Sequence, residues 1–221
     1  MAGSVQTLLA IADELERRDN QVATRLDVVE GLQREVDDVR RAVAEAERQL
    51  HRLPELRRAQ ERDEATAFDA RAQAVTSVRE AEEQASRARE SDRPTAERRL
   101  DDARAALRAV DREIAHLEGR RDSLHDEERT ALAQVASAAQ RAASLGADLD
   151  STGAPAAVIS AVGEWAAHER GALLVEHSNL VRERDAVVRE ASELLASALG
   201  DATALTSVAG LRARLERALA S

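Results

Sequence analysis

The stretch from Leu8 to Leu53, LLAIADELERRDNQVATRLDVVEGLQREVDDVRRAVAEAERQLHRL, carries the repeat that decides the fold. Alternating steps of three and four residues from Leu8 meet Ile11, Leu15, Arg18, Val22, Arg25, Val29, Leu32, Val36, Val39, Val43, Ala46, Leu50 and Leu53. Only Arg18 and Arg25 interrupt this apolar row. Such steps keep one seam of an α-helix against a partner, through a left-handed supercoil. About 50 residues rising 1.5 Å each make a helix of roughly 75 Å. One helix cannot bury that stripe alone, so a partner is required. An Arg in the seam can pair with Asp or Glu across the contact and select one alignment.

A second repeat runs from Gly171 to Gly200, where Leu173–Leu174, Leu180–Val181, Val187–Val188 and Leu194–Leu195 recur every seven residues. With Leu173 at d and Leu174 at e, the a positions are Arg170, His177, Arg184, Ala191 and Ala198. A stripe of a, d and e is wider than a two-stranded seam. It fits a groove between two helices, or one helix and a second subunit. The C-terminal half is expected to pack better, because Ala replaces Arg and His at a. Partial exposure is the simpler reading of His177 and Arg184, with the Arg stem lying over apolar surface and its head in water. A polar layer that fixes register is the sharper one. The candidate interface residues are thus Leu8, Ile11, Leu15, Arg18, Val22, Arg25, Val29 and Leu32, with Leu173, Leu174, His177, Leu180, Val181 and Arg184.

Breakers divide the chain. Pro54 predicts either a kink or a hairpin turn after Leu53. From Glu55 to Glu90 the seam thins to Ala67, Ala74, Val78, Ala81, Ala85 and Ala88. In ESDRPTAERR, Ser91 or Asp92 can cap a helix, and Pro94 suits a first turn. This reads as the tip of a helical hairpin. The next helix, about Thr95 to Ser144, has a seam of Leu100, Ala103, Leu107, Val110, Ile114, Leu117, Arg121 and Leu124. It then slips through Glu128 to Leu132, a stutter. After LGADLDSTGAP comes the helix 155–199, and after a Thr206/Ser207 cap a short helix 206–220. A helix this short is marginal alone and is expected to fold back onto the bundle. The fold expected is all-α: an elongated coiled coil or antiparallel helical bundle of about four long helices plus a short C-terminal helix. Its long coiled-coil part spans 1–148, with breaks near 54 and 91–95, and a C-terminal subdomain spans 149–221.

Composition agrees with that class. The 221 residues contain one Phe (Phe68), one Trp (Trp165), no Tyr and no Cys. Trp165 reads as a bundle anchor on the face of Val158 and Val162, and Phe68 as an exposed contact point off the seam. The net charge of −10 is built entirely from Arg against Asp and Glu. Lacking Lys, the chain has no P-loop lysine and no Schiff-base amine; lacking Cys, it has no thiolate ligand or nucleophile. All-Arg usage suggests a GC-rich bacterial genome. Arg is interleaved with acids, so no basic face for nucleic acid is evident. No transmembrane run or secretory signal is expected, and the default is a cytoplasmic protein.

The histidines are His51, His116, His125, His168 and His177, with no HExxH. Glu113/His116 and Asp122/His125 have ExxH-like spacing, but both lie on one predicted helix, whereas helical di-metal sites draw such steps from two. A solvated charged face is the expected role. No catalytic residue, cofactor or metal is assigned. The function expected is a non-enzymatic coiled-coil scaffold or adaptor that self-associates and meets protein partners through helix faces. The hairpin between Ser91 and Gly146 also resembles, in composition and periodicity, the antiparallel arms of SMC and Rad50 type ATPases. That resemblance implies an accessory arm of a nucleotide-driven complex. A weaker similarity in outline is to membrane-remodelling hairpins of the phage-shock and ESCRT-III type. The acidic balance and scarcity of aromatics argue against it.

Overall fold

The computed structural model describes residues 2–150, 153–199 and 205–219. Among them are four helices and no strand: α1, Ala2–Arg87; α2, Arg93–Ser144; α3, Pro155–Leu199; and α4, Leu211–Leu219. The fold is an all-α helical bundle, as the periodicity predicts. Contacts group it into two compact units. The first holds Met1–Arg41, Arg141–Leu149 and Ser160–Ser221; the second holds Ala42–Gln140 and Asp150–Ile159. This grouping differs from a division at residue 148. Breakers mark where helices end, whereas the ends of α1 and α2 contribute to different contact groups.

Of the two expectations for Pro54, the hairpin turn is absent. α1 continues as α-helix through Pro54, so the segments on either side of it are one helix and the long helices number three. A proline removes a single intrahelical hydrogen bond and crowds the preceding turn. Here the Pro54 ring is exposed, while Leu53 beside it is buried on the seam. The flanking packing keeps the helix going. The second break is present but falls at residues 88–92, a little before the expected 91–95. Asp92 offers its carbonyl to the amides of Thr95 and Ala96, both at 3.1 Å, and Pro94 sits in the first turn of α2.

The other ends use local chemistry. Gly146 adopts φ +97°, and the amides of Gly146 and Ala147 return to the carbonyls of Ala143 and Ala142, each at 3.0 Å. That is a Schellman stop, which glycine permits at no steric cost. α3 opens on Pro155, with the Ala154 carbonyl accepting from Ala157 and Val158. The Ser207 hydroxyl accepts from the Ala209 amide, and α4 begins at Leu211, after Gly210 at φ +73°. The last helix is therefore shorter than 206–220. Gly200, read as the stop of α3, lies outside the described residues.

In the first unit, the buried row on α1 is Ala12, Leu15, Asp19, Val22, Leu26, Val29 and Val36. The sequence row chose Ile11, Arg18, Arg25 and Leu32 between the shared positions. The observed row lies one residue later, at Ala12, Asp19, Leu26 and Gln33. From Val39 onward, Val39, Val43, Ala46 and Leu53 are buried as expected. The row therefore takes two three-residue steps at Gln33–Val36–Val39, a stammer that locally overwinds the supercoil. Ala12 and Leu15 form one core with Val187, Ala191 and Leu195 of α3 and with Val208, Leu211 and Leu215. Val22, Leu26, Val29 and Val36 form a second with Ala166, Leu173 and Leu180, with Leu145 and Trp165 at its edge.

In the second unit, α1 and α2 make an antiparallel hairpin. α1 buries Gln60, Ala67 and Ala81, and α2 buries Leu117, Leu124, Ala131, Val135, Ala138 and Ala139. No stutter occurs at Glu128. Ala131 is buried and Leu132 faces outward, so α2 keeps alternating steps of three and four. Close approach favours the smaller Ala methyl over the larger side chain next to it.

Candidate interaction surface

The α1–α3 contact is laced by charges. Arg18 reaches Glu190 at 2.7 Å, Arg25 reaches Glu183 at 3.4 Å, and Arg184 reaches Asp19 at 3.2 Å. His177 lies 3.6 Å from Glu30, and Arg170 3.1 Å from Asp37. The Gln33 amide donates to the Leu173 carbonyl at 3.2 Å. Numbers rise on α1 as they fall on α3, so the pair is antiparallel. The hydrogen bond to Glu190 raises the Arg18 pKa above its ordinary value. The exposed pairs among these, unlike that of the buried Asp19, stabilise by only about 0.2–1 kcal/mol each. Their larger effect is on alignment.

The expected interface residues divide into three sets. Leu15, Val22, Val29, Leu173 and Leu180 are buried between helices of the same chain, and Leu8 is half-buried. The partner of the N-terminal stripe is thus α3. Arg18, Arg25, His177 and Arg184 are the paired charges just described. Ile11, Leu32, Leu174 and Val181 remain exposed. α3 does lie in a groove along its C-terminal half, where Val188 and Leu194 pack on the core made with α1 and α4. The middle of the helix leaves Leu174, Val175 and Val181 uncovered. In the second unit, Phe68 and Val75 are the exposed large apolar residues on α1, with Phe68 at 54%.

Three polar positions escape the sequence reading. Asp19 is buried under Arg184. Gln60 is 2% exposed and donates to the Leu117 carbonyl at 2.6 Å and to Glu64 at 3.2 Å. Its Oε1 has no hydrogen-bond partner among the described residues. Arg212 of α4 donates from its side chain to Asp13 at 2.6 Å and Glu216 at 2.8 Å, and from its amide to Glu16 at 3.0 Å. Glu216 and Asp13 together raise its pKa well above the ordinary arginine value. A polar residue at a seam position was the available signal for Gln60; Asp19 was hidden by the register choice.

The concave places are grooves between helices. One, about 710 Å³, lies beside Asp13, Arg17, Arg25 and Glu183. Another, about 190 Å³, lies in the hairpin beside Arg57, Gln60, Arg121 and His125. There Arg57 forms a bidentate ion pair with Glu128, whose pKa its hydrogen bonds lower, and lies 3.5 Å from the His125 Nδ1. Glu113 and His116 are exposed on α2, at the edge of an open groove beside Asp63 and Ala67 of α1. Among the described residues no three His, Asp or Glu side chains gather as a metal site, and no helix is long and apolar enough to cross a membrane. Compared with models of known families, with curated proteins and with solved structures, the chain matches none.

Proposed function

We propose that the protein is a non-enzymatic helical scaffold or adaptor of the cytoplasm, acting through helix-face contacts with proteins, including copies of itself. The observation that carries this reading is the arrangement of the exposed apolar residues. They stand in rows at helical spacing, Leu174 and Val181 on α3 and Phe68 and Val75 on α1. A row of this kind, rimmed by charges, is a surface that another helix can cover. The seam that first suggested association is consumed within the chain, so these outer rows are what remains for partners. Crosslinking in cells followed by mass spectrometry tests the reading. It expects crosslinked proteins on residues 65–82 or 171–185, and reactivity spread evenly over the surface would refute it.

A second reading is an arm of a nucleotide-driven machine. The antiparallel α1–α2 hairpin, closed through residues 88–92, favours it. Co-purification with an ATPase would support that role over free-standing self-association.

A further inference from the structure

α1 carries a second stripe on the flank of the seam it presents to α2, bordering α2 at Phe68 and Glu82. Steps of three and four residues from Arg58 meet Glu61, Ala65, Phe68, Ala72, Val75, Arg79 and Glu82. All eight positions are exposed on the second unit. The stripe is apolar in the middle and charged at both ends. Among the described residues, Arg58, Glu61 and Arg79 make no ion pair, while Glu82 is paired with Arg104 at 2.9 Å. The flanking hairpin seam runs through Gln60, Ala67, Ala74 and Ala81, so this stripe is not spare core.

The order of residues along the stripe is self-complementary under a two-fold rotation. Lay a second copy of α1 antiparallel on it, with the axis at the level of residue 70. Phe68 then falls opposite Ala72, and Val75 opposite Ala65, so each large side chain meets a small one in both directions. Glu61 falls opposite Arg79, and Arg58 opposite Glu82. A two-fold contact needs this reciprocity, residue i on j and j on i. A parallel in-register pairing would instead set Phe68 on Phe68, Glu61 on Glu61 and Arg79 on Arg79.

We propose that the stripe within residues 58–82 of α1 forms a homodimer interface in which two copies pack antiparallel, with the two-fold axis at the level of residue 70. This rests on the self-association part of the function proposed above and names its site. The occupant is a second copy because the charges and sizes of the stripe match the stripe itself. The contact is small, centred on four apolar side chains, and belongs to the weak, concentration-dependent class. Phe68 is its anchor, as a half-exposed aromatic bordered on the α2 side by Ile114, Leu117, Glu118 and Arg121 and along α1 by Ala65 and Ala72. Closing the contact places Glu82 between Arg104 of its own hairpin and Arg58 of the second copy.

The test is sedimentation velocity on the full chain across the micromolar to millimolar range, with helix content followed by circular dichroism. A reversible dimer is expected. Phe68→Asp should weaken it by about tenfold or more. Glu61→Arg alone and Arg79→Glu alone each break two symmetry-related pairs and should weaken it about twofold to thirtyfold. The double variant Glu61→Arg/Arg79→Glu should recover, because each reversed charge again faces its opposite. A spin label at Glu83→Cys, unique in a chain without cysteine, reads orientation. Twenty-six residues of offset at 1.5 Å set two such labels about 39 Å apart along the axis in the antiparallel dimer. A dimer indifferent to Phe68→Asp, a double variant as weak as the singles, or labels close together would overturn this interface while leaving self-association standing. A chain that stays monomeric at millimolar concentration would overturn both.

Discussion

Replacing Gln60 by Leu should stabilise the hairpin of the second unit. Gln60 is 2% exposed, at a seam position between α1 and α2. Its Oε1 lacks a partner among the described residues, and a buried acceptor left in that state costs about 1–3 kcal/mol. Its Nε2 donates to the Leu117 carbonyl at 2.6 Å, a bond with a net contribution of about 0.5–1.5 kcal/mol. Leu removes both terms, and with them the weaker 3.2 Å bond to Glu64, whose carboxylate keeps Arg121 at 3.8 Å. The Leu117 carbonyl lies inside α2 and keeps its helical bond, so no new orphan is created. Leu has about the volume of Gln and adds apolar burial at roughly 0.8 kcal/mol per methyl-sized group. The balance is a gain of about 1–2 kcal/mol, near tenfold in the folded population of the hairpin.

Native-state hydrogen exchange reads that gain locally. Amides of residues 57–67 and 114–124 should gain about tenfold in protection in Gln60→Leu, while those of residues 12–36 stay unchanged. Gln60→Ala is the control for packing, since it removes the same polar atoms but leaves a hole. It should lose stability. If Gln60→Leu lowers protection by tenfold instead, the acceptor is satisfied in solution and the reasoning from an orphaned group fails.

The thin Ala seam sets a gradient along α1. From Phe68 to Arg87 only Ala81 is buried, so amides there should exchange faster than those of residues 12–36 in the same helix. Arg184→Ala strips the guanidinium from the buried Asp19 carboxylate and should cost about 1–3 kcal/mol by urea unfolding. Adding Asp19→Asn to that variant should recover most of the loss. Hydrogen bonds from Arg57 lower the Glu128 pKa below 4.5. The stability this supplies is complete above 4.5 and is lost as pH falls through the lowered value. Acid unfolding of the hairpin should therefore begin at higher pH in Arg57→Ala than in the parent.

Helices and their ends were legible because their signals are local. Steps of three and four residues, Pro94, Pro155 and Gly146 each act within a turn or two of chain. Pro54 left a hairpin turn open beside a kink for the same reason: its local penalty is offset by packing that is not local, on Leu53 and its neighbours. The register of α1 was not legible. The rows Ile11/Arg18/Arg25/Leu32 and Ala12/Asp19/Leu26/Gln33 share Leu15, Val22, Val29 and Val36, and neither is clearly the more apolar. What separates them is a partner, since Arg18 and Arg25 reach Glu190 and Glu183 only from the flank. Ala131 and Leu132 pose the same problem on α2, where hydrophobicity favours the Leu and close approach favours the Ala. Phe68 could be read as exposed from its place off the seam, whereas the paired ends of its stripe stand out only once the exposure of all eight positions is known.

A chain built from Ala, Leu, Val, Arg and Glu faces a further difficulty, because a heptad seam slid by seven residues still sets apolar on apolar. Size alone discriminates poorly when so many seam residues are Ala. The α1–α3 pair meets this with Asp19. The a positions of α3 run Arg170, His177, Arg184, Ala191, and only the observed alignment sets a guanidinium over that carboxylate while keeping Arg170 on Asp37 and His177 near Glu30. Sliding α3 one heptad one way brings Ala191 over Asp19 and leaves a buried charge alone, an arrangement far more costly than a lost surface pair. Sliding it the other way substitutes His177 and displaces Arg170 from Asp37. Gln60 acts alike in the hairpin, where its 2.6 Å bond ties one residue of α1 to one carbonyl of α2. The stabilising change Gln60→Leu should accordingly loosen register while it strengthens the contact, and the two effects are separable by measuring protection and spin-label distance on the same variant.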